Sequence, residues 1–215
     1  MLIYQRYNKY ILTWSGRERS SHTNQCLCVP FFIGKIMFEV EKLIKEYQSD
    51  ISDNVKKDIF DLRDDELYMK VAMIEAQIAY IEDEVPIGCV IVRDGEIIAH
   101  THNQKVKNND ATEHAEMLGI KEASKIVGSW HLDDCDMYVT LEPCMMCTGA
   151  IINSRIRKVY YATKDPKGGS LDSNIKLIDV KGINHYPIIE SGIYQEESSN
   201  LLKSFFKNKR KKTNR

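Results

Sequence analysis

His114-Ala115-Glu116 and, thirty residues after the histidine, Pro143-Cys144-Met145-Met146-Cys147 are the segments of this chain whose residue types and spacing can do chemistry. Zinc takes imidazole nitrogen and thiolate sulfur in a tetrahedron, and a catalytic site uses three protein ligands so that the fourth position can hold water. His114, Cys144 and Cys147 supply three ligands, and Glu116 is the candidate base. Two thiolates cancel the formal charge of the ion, so its water is less acidified than beside three neutral histidines, and a nearby carboxylate becomes more necessary. If Pro143 begins a helix, Cys144 falls in its first turn, where free N–H groups and the helix dipole favour a thiolate. Residues two apart share no helical face. His114 and Glu116 therefore reach one pocket only if His114 stands at a helix start, which the cap candidates from Asp110 to Thr112 allow.

Other readings compete for the same residues. A structural zinc site would want a fourth protein ligand, for which Cys89, Cys135 and His131 are available. A thioredoxin-like redox pair would use Cys144 and Cys147 alone, and chance would explain all of it. These readings leave Glu116 without a role or the joint spacing unexplained. The pattern H-x-E followed by P-C-x-x-C is the signature of zinc deaminases, in which the glutamate takes a proton from the attacking water, delivers it to a ring nitrogen and helps the amine leave as ammonia.

The elements that must position these residues follow from periodicity. Met37, Val40, Leu43, Ile44 and Tyr47 have helical spacing, which predicts a helix within 37–61, and Leu67, Val71, Ile74 and Ile78 predict an amphipathic helix ending near Asp83. Ile87 to Val92 and Glu96 to His102 read as strands joined by Asp94-Gly95, a strong hairpin signal because both turn positions need positive φ. A polar loop precedes a helix from Thr112 to Lys125, then come a strand at Met137 to Leu141, a helix from Pro143 to Ser154 and a strand at Lys158 to Ala162. Residues 164–174, with Pro166, Gly168 and Gly169, read as a loop, Ile188 and Ile189 as an edge strand, and Tyr194 to Lys207 as a terminal helix. Alternating strands and helices imply an α/β layered domain.

The chain has 215 residues, enough for one enzyme-sized unit with an extension. Its 43% apolar and 28% charged content excludes wholesale disorder and a fibrous protein. The net charge of -1 hides an asymmetry: residues 203–215 hold seven basic residues and no acid, leaving residues 1–202 at -8. No apolar run approaches the ~18 residues of a membrane span, so a soluble protein with no membrane partner is expected. The stretch up to Lys35 has five basic residues and one acid, Glu18. That composition is weakly like an organelle transit peptide; an N-terminal extension, or a start at Met37, is the preferred reading.

The segments Glu84-Val85-Pro86-Ile87-Gly88, Asn103, His114-Ala115-Glu116, Val139-Thr140-Leu141-Glu142-Pro143-Cys144-Met145-Met146-Cys147, Gly149-Ala150-Ile151, Ser154-Arg155-Ile156, Gly169-Ser170-Leu171 and Asn184-His185 together resemble the bacterial tRNA-specific adenosine deaminases, from about Glu84 to Arg210. The resemblance implies a cytidine-deaminase-like three-layer α/β/α sandwich around a mixed five-stranded sheet. It implies a cytoplasmic homodimer that binds one Zn2+ per subunit and converts the wobble adenosine of a tRNA anticodon stem-loop to inosine. Arginine tRNA with anticodon ACG is the expected substrate. By the same resemblance the zinc ligands are His114, Cys144 and Cys147, and the proton shuttle is Glu116. Asn103 would bond the flipped nucleoside and Asp165 the neighbouring anticodon nucleotide, while Phe205, Phe206, Lys209 and Arg210 would meet the RNA.

General physics agrees: aromatic faces stack on splayed bases and cations grip phosphates. One of Phe205 and Phe206 is expected to pack inward and the other to face RNA. The implied organisation is an extension at 1–62, a deaminase domain at 63–208 and a basic tail at 209–215. Three departures bear on substrate preference: Glu113 beside the metal histidine, Asn153 before Ser154, and a short loop around Lys167 to Gly169. The alternatives are a deaminase of free nucleobases or nucleotides, which needs no basic tail, and a silent zinc RNA-binding subunit, which needs no Glu116.

Overall fold

The computed structural model describes residues 60–213, and the side chains of 65–211. The helix expected within 37–61 lies outside the described residues except for its last two positions, as does nearly all of the proposed extension.

The first described element is α1 (Phe60–Ile81). It starts at Phe60, ahead of the periodic stretch that opens at Leu67, and its Asp65 accepts a hydrogen bond from the Tyr138 hydroxyl. The hairpin follows as β1 (Gly88–Arg93) and β2 (Glu96–His102). Its turn has Asp94 at φ 53° and Gly95 at φ 80°, the two positive values that a two-residue turn requires. The loop expected next contains one short helix, α2 (Lys105–Asn108). Then come α3 (Ala115–Val127), β3 (Cys135–Leu141), α4 (Met145–Ser154), β4 (Lys158–Thr163), a 3-10 turn at Leu177–Asp179, β5 (Ile188–Ser191) and α5 (Gln195–Thr213). The last helix outruns its expected end at Lys207, so Lys209 and Arg210 are helical.

The strands form one sheet in the order β2-β1-β3-β4-β5. β1 runs antiparallel to β2 and β3, whereas β3, β4 and β5 are mutually parallel, so the sheet is mixed. Side-chain alternation sends Cys89, Ile91, Met137, Val139 and Tyr161 to one face, where they pack with Ala115 and Ala123 of α3 and Ile151 of α4. Val90, Val92, Tyr138, Tyr160 and Ala162 go to the other, against Tyr68, Met69 and Ala72 of α1; α5 also contacts β3 and β4. The result is a three-layer α/β/α sandwich of the cytidine-deaminase type.

Helix α1 lies so close to β1 that a Cβ at Gly88 would stand 2.0 Å from the Ala72 carbonyl oxygen. Gly88 also donates its N–H to Thr140 Oγ1 at 3.1 Å, fastening the start of β1 to β3 near Pro143 and Cys144. Among the described residues, no helix is long and apolar enough to cross a membrane.

Candidate active site

His114 and Cys144 are the N-cap residues of α3 and α4, both in extended backbone conformation. Cys144 therefore stands just ahead of its helix rather than in the first turn, because Pro143 and Cys144 serve as its lead-in and Met145 is the first helical residue. The Asp110 to Thr112 cap candidates do not cap α3 either. Asp110 Oδ1 accepts the Thr112 N–H and hydroxyl, a local turn ahead of the helix. His114 at the cap and Glu116 in the first turn nevertheless bring both side chains to one place, and Cys147 joins from the first turn of α4.

The three donor atoms form a compact triangle. His114 Nδ1 is 3.7 Å from Cys144 Sγ and 3.5 Å from Cys147 Sγ, and the two sulfurs are 3.7 Å apart. A tetrahedron with Zn–S near 2.3 Å and Zn–N near 2.05 Å has edges of about 3.8 Å between sulfurs and about 3.6 Å between nitrogen and sulfur. The edges match, and the soft donor set suits the ion. Among the described residues this is the one group of side chains placed so that it could hold a metal ion. The possible fourth ligands do not join it: Cys89 and Cys135 are buried elsewhere, and His131 pairs with Asp133 at 3.0 Å.

Glu116 is 3% exposed, and its Oε2 is buried without a protein hydrogen-bond partner. Burial pushes its carboxyl up, and His114, Cys144 and Cys147 all act on it electrostatically, which puts it beside the ligand triangle. A buried carboxylate with one oxygen unpartnered is costly unless a ligand or water meets it. The Cys144 thiol is pulled down to about 3, first by the hydrogen bond from Cys147 and then by His114, so a thiolate forms readily there.

The remaining candidates are spread around this centre. Asn103, 2% exposed, accepts the Ala115 N–H on Oδ1 at 2.8 Å and so ties the end of β2 to the start of α3. Asp165 follows β4, and its Oδ1 accepts the Lys167 N–H. Phe205 packs inward at 4% exposure, edge-on to Tyr80, whereas Phe206 is 44% exposed. Lys209 pairs with Asp83 at 2.8 Å and lies over the Phe205 ring, while Arg210 is exposed. Glu113 turns its carboxylate to Lys121 and Asn108, at 3.1 Å each, so its charge is offset locally.

Two groups escaped the sequence reading. Glu142 is a buried carboxylate that accepts several loop N–H groups, and Glu75 joins His100 and His102. For Glu142 the signal was present, an acid directly before Pro143-Cys144. For Glu75 the partners lie 25 and 27 residues away on another element.

Residues 63–210 match the family model of MafB19-like deaminases. The tRNA-specific adenosine deaminase of Bacillus subtilis is 47% identical over 148 residues, covering 69% of this chain and 92% of that protein. The enzyme of the same name from Agrobacterium fabrum is 43% identical, covering 66% and 94%. A solved structure from work on A-to-I editing by tRNA:A34 deaminases at the wobble position superposes with a TM-score of 0.62 at 43% identity, covering 63% of this chain and 98% of the other. The guanine deaminase from Nitrosomonas europaea, at 19% identity and a TM-score of 0.53 over 65% of this chain and 83% of its own, shares the fold.

Proposed function

The chain belongs to the MafB19-like deaminase family, and from that membership and the geometry of its site we propose that it is a tRNA adenosine deaminase, converting the wobble adenosine of an anticodon to inosine with release of ammonia. The observation that carries the chemistry is the unpartnered, buried Glu116 oxygen beside a His114, Cys144, Cys147 triangle with the edges of a zinc tetrahedron. Zinc held by these three residues would polarise a water for attack at C6 of adenine and lower its pKa. Glu116 then takes a proton from the attacking water and passes it to N1 of the ring. As the C6–N6 bond breaks, Glu116 delivers the second proton to the departing amine, so water and adenosine become inosine and ammonia. Its raised pKa suits a carboxyl that must both accept and return a proton.

Asn103 holds the start of α3 through Oδ1, which leaves its amide nitrogen to donate to the extruded nucleoside. Asp165 faces the next anticodon nucleotide. Phe206, Lys209 and Arg210 form the RNA-facing part of α5, with Phe206 the ring free to stack. The protein acts as a cytoplasmic homodimer, and arginine tRNA with anticodon ACG is the substrate of choice, because inosine lets one tRNA read codons ending in U, C or A.

The test is direct. Zinc-loaded protein is incubated with a transcript of that tRNA, and the reverse-transcribed product is sequenced, with free adenosine, guanine and cytosine assayed beside it for ammonia. A-to-G conversion confined to the wobble position is expected. Ammonia from a free base with an unchanged tRNA would move the protein to small-molecule metabolism.

A further inference from the structure

The loop between β4 and β5 is wound around one side chain. Glu142, 2% exposed, accepts on Oε1 the N–H groups of Leu171 at 3.2 Å, Asp172 at 2.7 Å and Ser173 at 2.8 Å. On Oε2 it accepts the Asp165 N–H at 3.1 Å and the Ser173 hydroxyl. Five donors from residues 165–173 thus converge on a single carboxylate at the end of β3, one residue before Pro143. The fit leaves no room: a Cβ at Gly169 would stand 2.4 Å from the Glu142 carboxyl carbon.

The same loop is also fastened to the metal-binding segment. Gly169 forms an isolated β-bridge with Cys144, and Ser170 donates its N–H to the Pro143 carbonyl at 2.9 Å and its hydroxyl to Thr148 Oγ1 at 2.8 Å. Asp165, at the start of the loop, therefore has its place relative to Cys144 set from two sides, by Glu142 and by this bridge.

We propose that Glu142 is a positioning residue for the RNA substrate: by gathering the N–H groups of Asp165, Leu171, Asp172 and Ser173 it sets where Asp165 stands against the Cys144 segment, and so determines how the nucleotide beside the target adenosine is held. Glu142 touches neither substrate nor the ligand triangle and takes no part in proton transfer. The proposal rests on the reading of Asp165 as the contact to that nucleotide. Binding costs fall when a contact group is held in place before the ligand arrives, and a group that acts only through such a contact alters KM more than kcat.

The test compares the full-length, zinc-loaded chain with Glu142→Gln, Asp165→Ala and the double variant, measuring bound zinc, KM and kcat on an anticodon stem-loop with a wobble adenosine. Glu142→Gln keeps shape but turns an N–H donor toward the loop's N–H groups. KM is expected to rise about tenfold in each single variant and no further in the double, because both act on one and the same interaction. Bound zinc stays at one per chain and kcat changes far less. Ser173→Ala, which removes only the hydroxyl donor, is expected to raise KM about threefold and serves where Glu142→Gln does not fold. An unchanged KM in Glu142→Gln, or in Ser173→Ala when it stands in, overturns the proposal, as do additive effects with Asp165→Ala or a silent Asp165→Ala. A native chain that leaves the stem-loop unconverted overturns the functional reading itself, whatever the variants do.

Discussion

Glu75 Oε2 stands 2.6 Å from His102 Nδ1, and its other oxygen stands 2.7 Å from His100 Nδ1, so one buried carboxylate of α1 joins two imidazoles of the edge strand β2. The line of charge continues from His102 Nε2 to Glu82 at 3.5 Å and from Glu82 to Lys107 at 3.0 Å. It thereby links α1 to β2, which ends at His102, and to the short helix α2 that follows.

Stability should follow pH through this cluster. Burial alone would raise the Glu75 carboxyl, but hydrogen bonds from His100 and His102 outweigh it and bring it from 4.5 to about 2. Burial also opposes a charge on His102, yet its hydrogen bond to Glu75 and the nearby Glu82 carboxylate raise it from 6.5 to about 9. The Glu75 value falls on folding, so its contribution is complete above the unfolded value of 4.5 and is lost as pH drops through 2. The His102 value rises on folding, so its contribution is complete below 6.5 and is lost as pH rises through 9. Urea unfolding of the native chain should show a decline on the alkaline side, and Glu75→Gln should lose about 3 kcal/mol near neutral pH together with that decline. A variant that keeps the full alkaline slope would contradict this account.

Glu116→Gln should keep the metal and lose the reaction. The amide retains size and burial but cannot accept the proton, so turnover should fall by about three orders of magnitude or more. Metal analysis of the purified variant beside a single-turnover assay separates this from a collapsed site. Turnover within a few-fold of native would remove Glu116 from the mechanism.

Phe205 and Phe206 should respond differently to truncation. Phe205 is buried against Tyr80 at 5.6 Å between ring centroids, and Phe205→Ala should cost about 3 kcal/mol of stability. Phe206→Ala should leave the melting temperature nearly unchanged and weaken stem-loop binding, with stacking on one base worth about 1 to 3 kcal/mol. Thermal melts and binding titrations on the two variants check both halves.

Truncation after Asn208 removes Lys209, Arg210, Lys211, Lys212 and Arg215. RNA affinity should fall, and the slope of log affinity against log salt should become shallower by about 0.7 for each phosphate of single-stranded RNA that is no longer neutralised. Lys209 also holds Asp83, so a small loss of stability accompanies the change. An unaltered salt slope would mean that this end of α5 does not meet phosphates.

Much of the fold is legible in the chain's local patterns. The strand from Glu96 to His102 and its Asp94-Gly95 turn can be read because a local rule, positive φ at two adjacent residues, fixes both the turn and the register around it. The helix bearing Glu116 is less legible. Its start at Ala115 depends on His114 being drawn into the ligand triangle and on Asn103 accepting the Ala115 N–H. Asp110 offers a cap by composition alone, and it closes its own turn instead. The end of α5 escapes local reading for another reason: a lysine-rich run reads as a solvated tail, yet lysine and arginine are good helix formers, and Lys209 finds Asp83 and the Phe205 ring.

The sequence by itself determined which side chains are available for metal ligation and proton transfer, because such chemistry demands particular residue types, and H-x-E with P-C-x-x-C writes them into short segments. It also determined the layered class, through residue periodicity that depends only on near neighbours. Tertiary structure alone decided that the two segments meet with their donor atoms 3.5 to 3.7 Å apart, and that Phe205 rather than Phe206 is buried. It also gathered the backbone of residues 165–173 around Glu142. These outcomes join residues brought together by sheet order and helix packing, and the buried polar groups among them draw their partners from segments that local pattern cannot name.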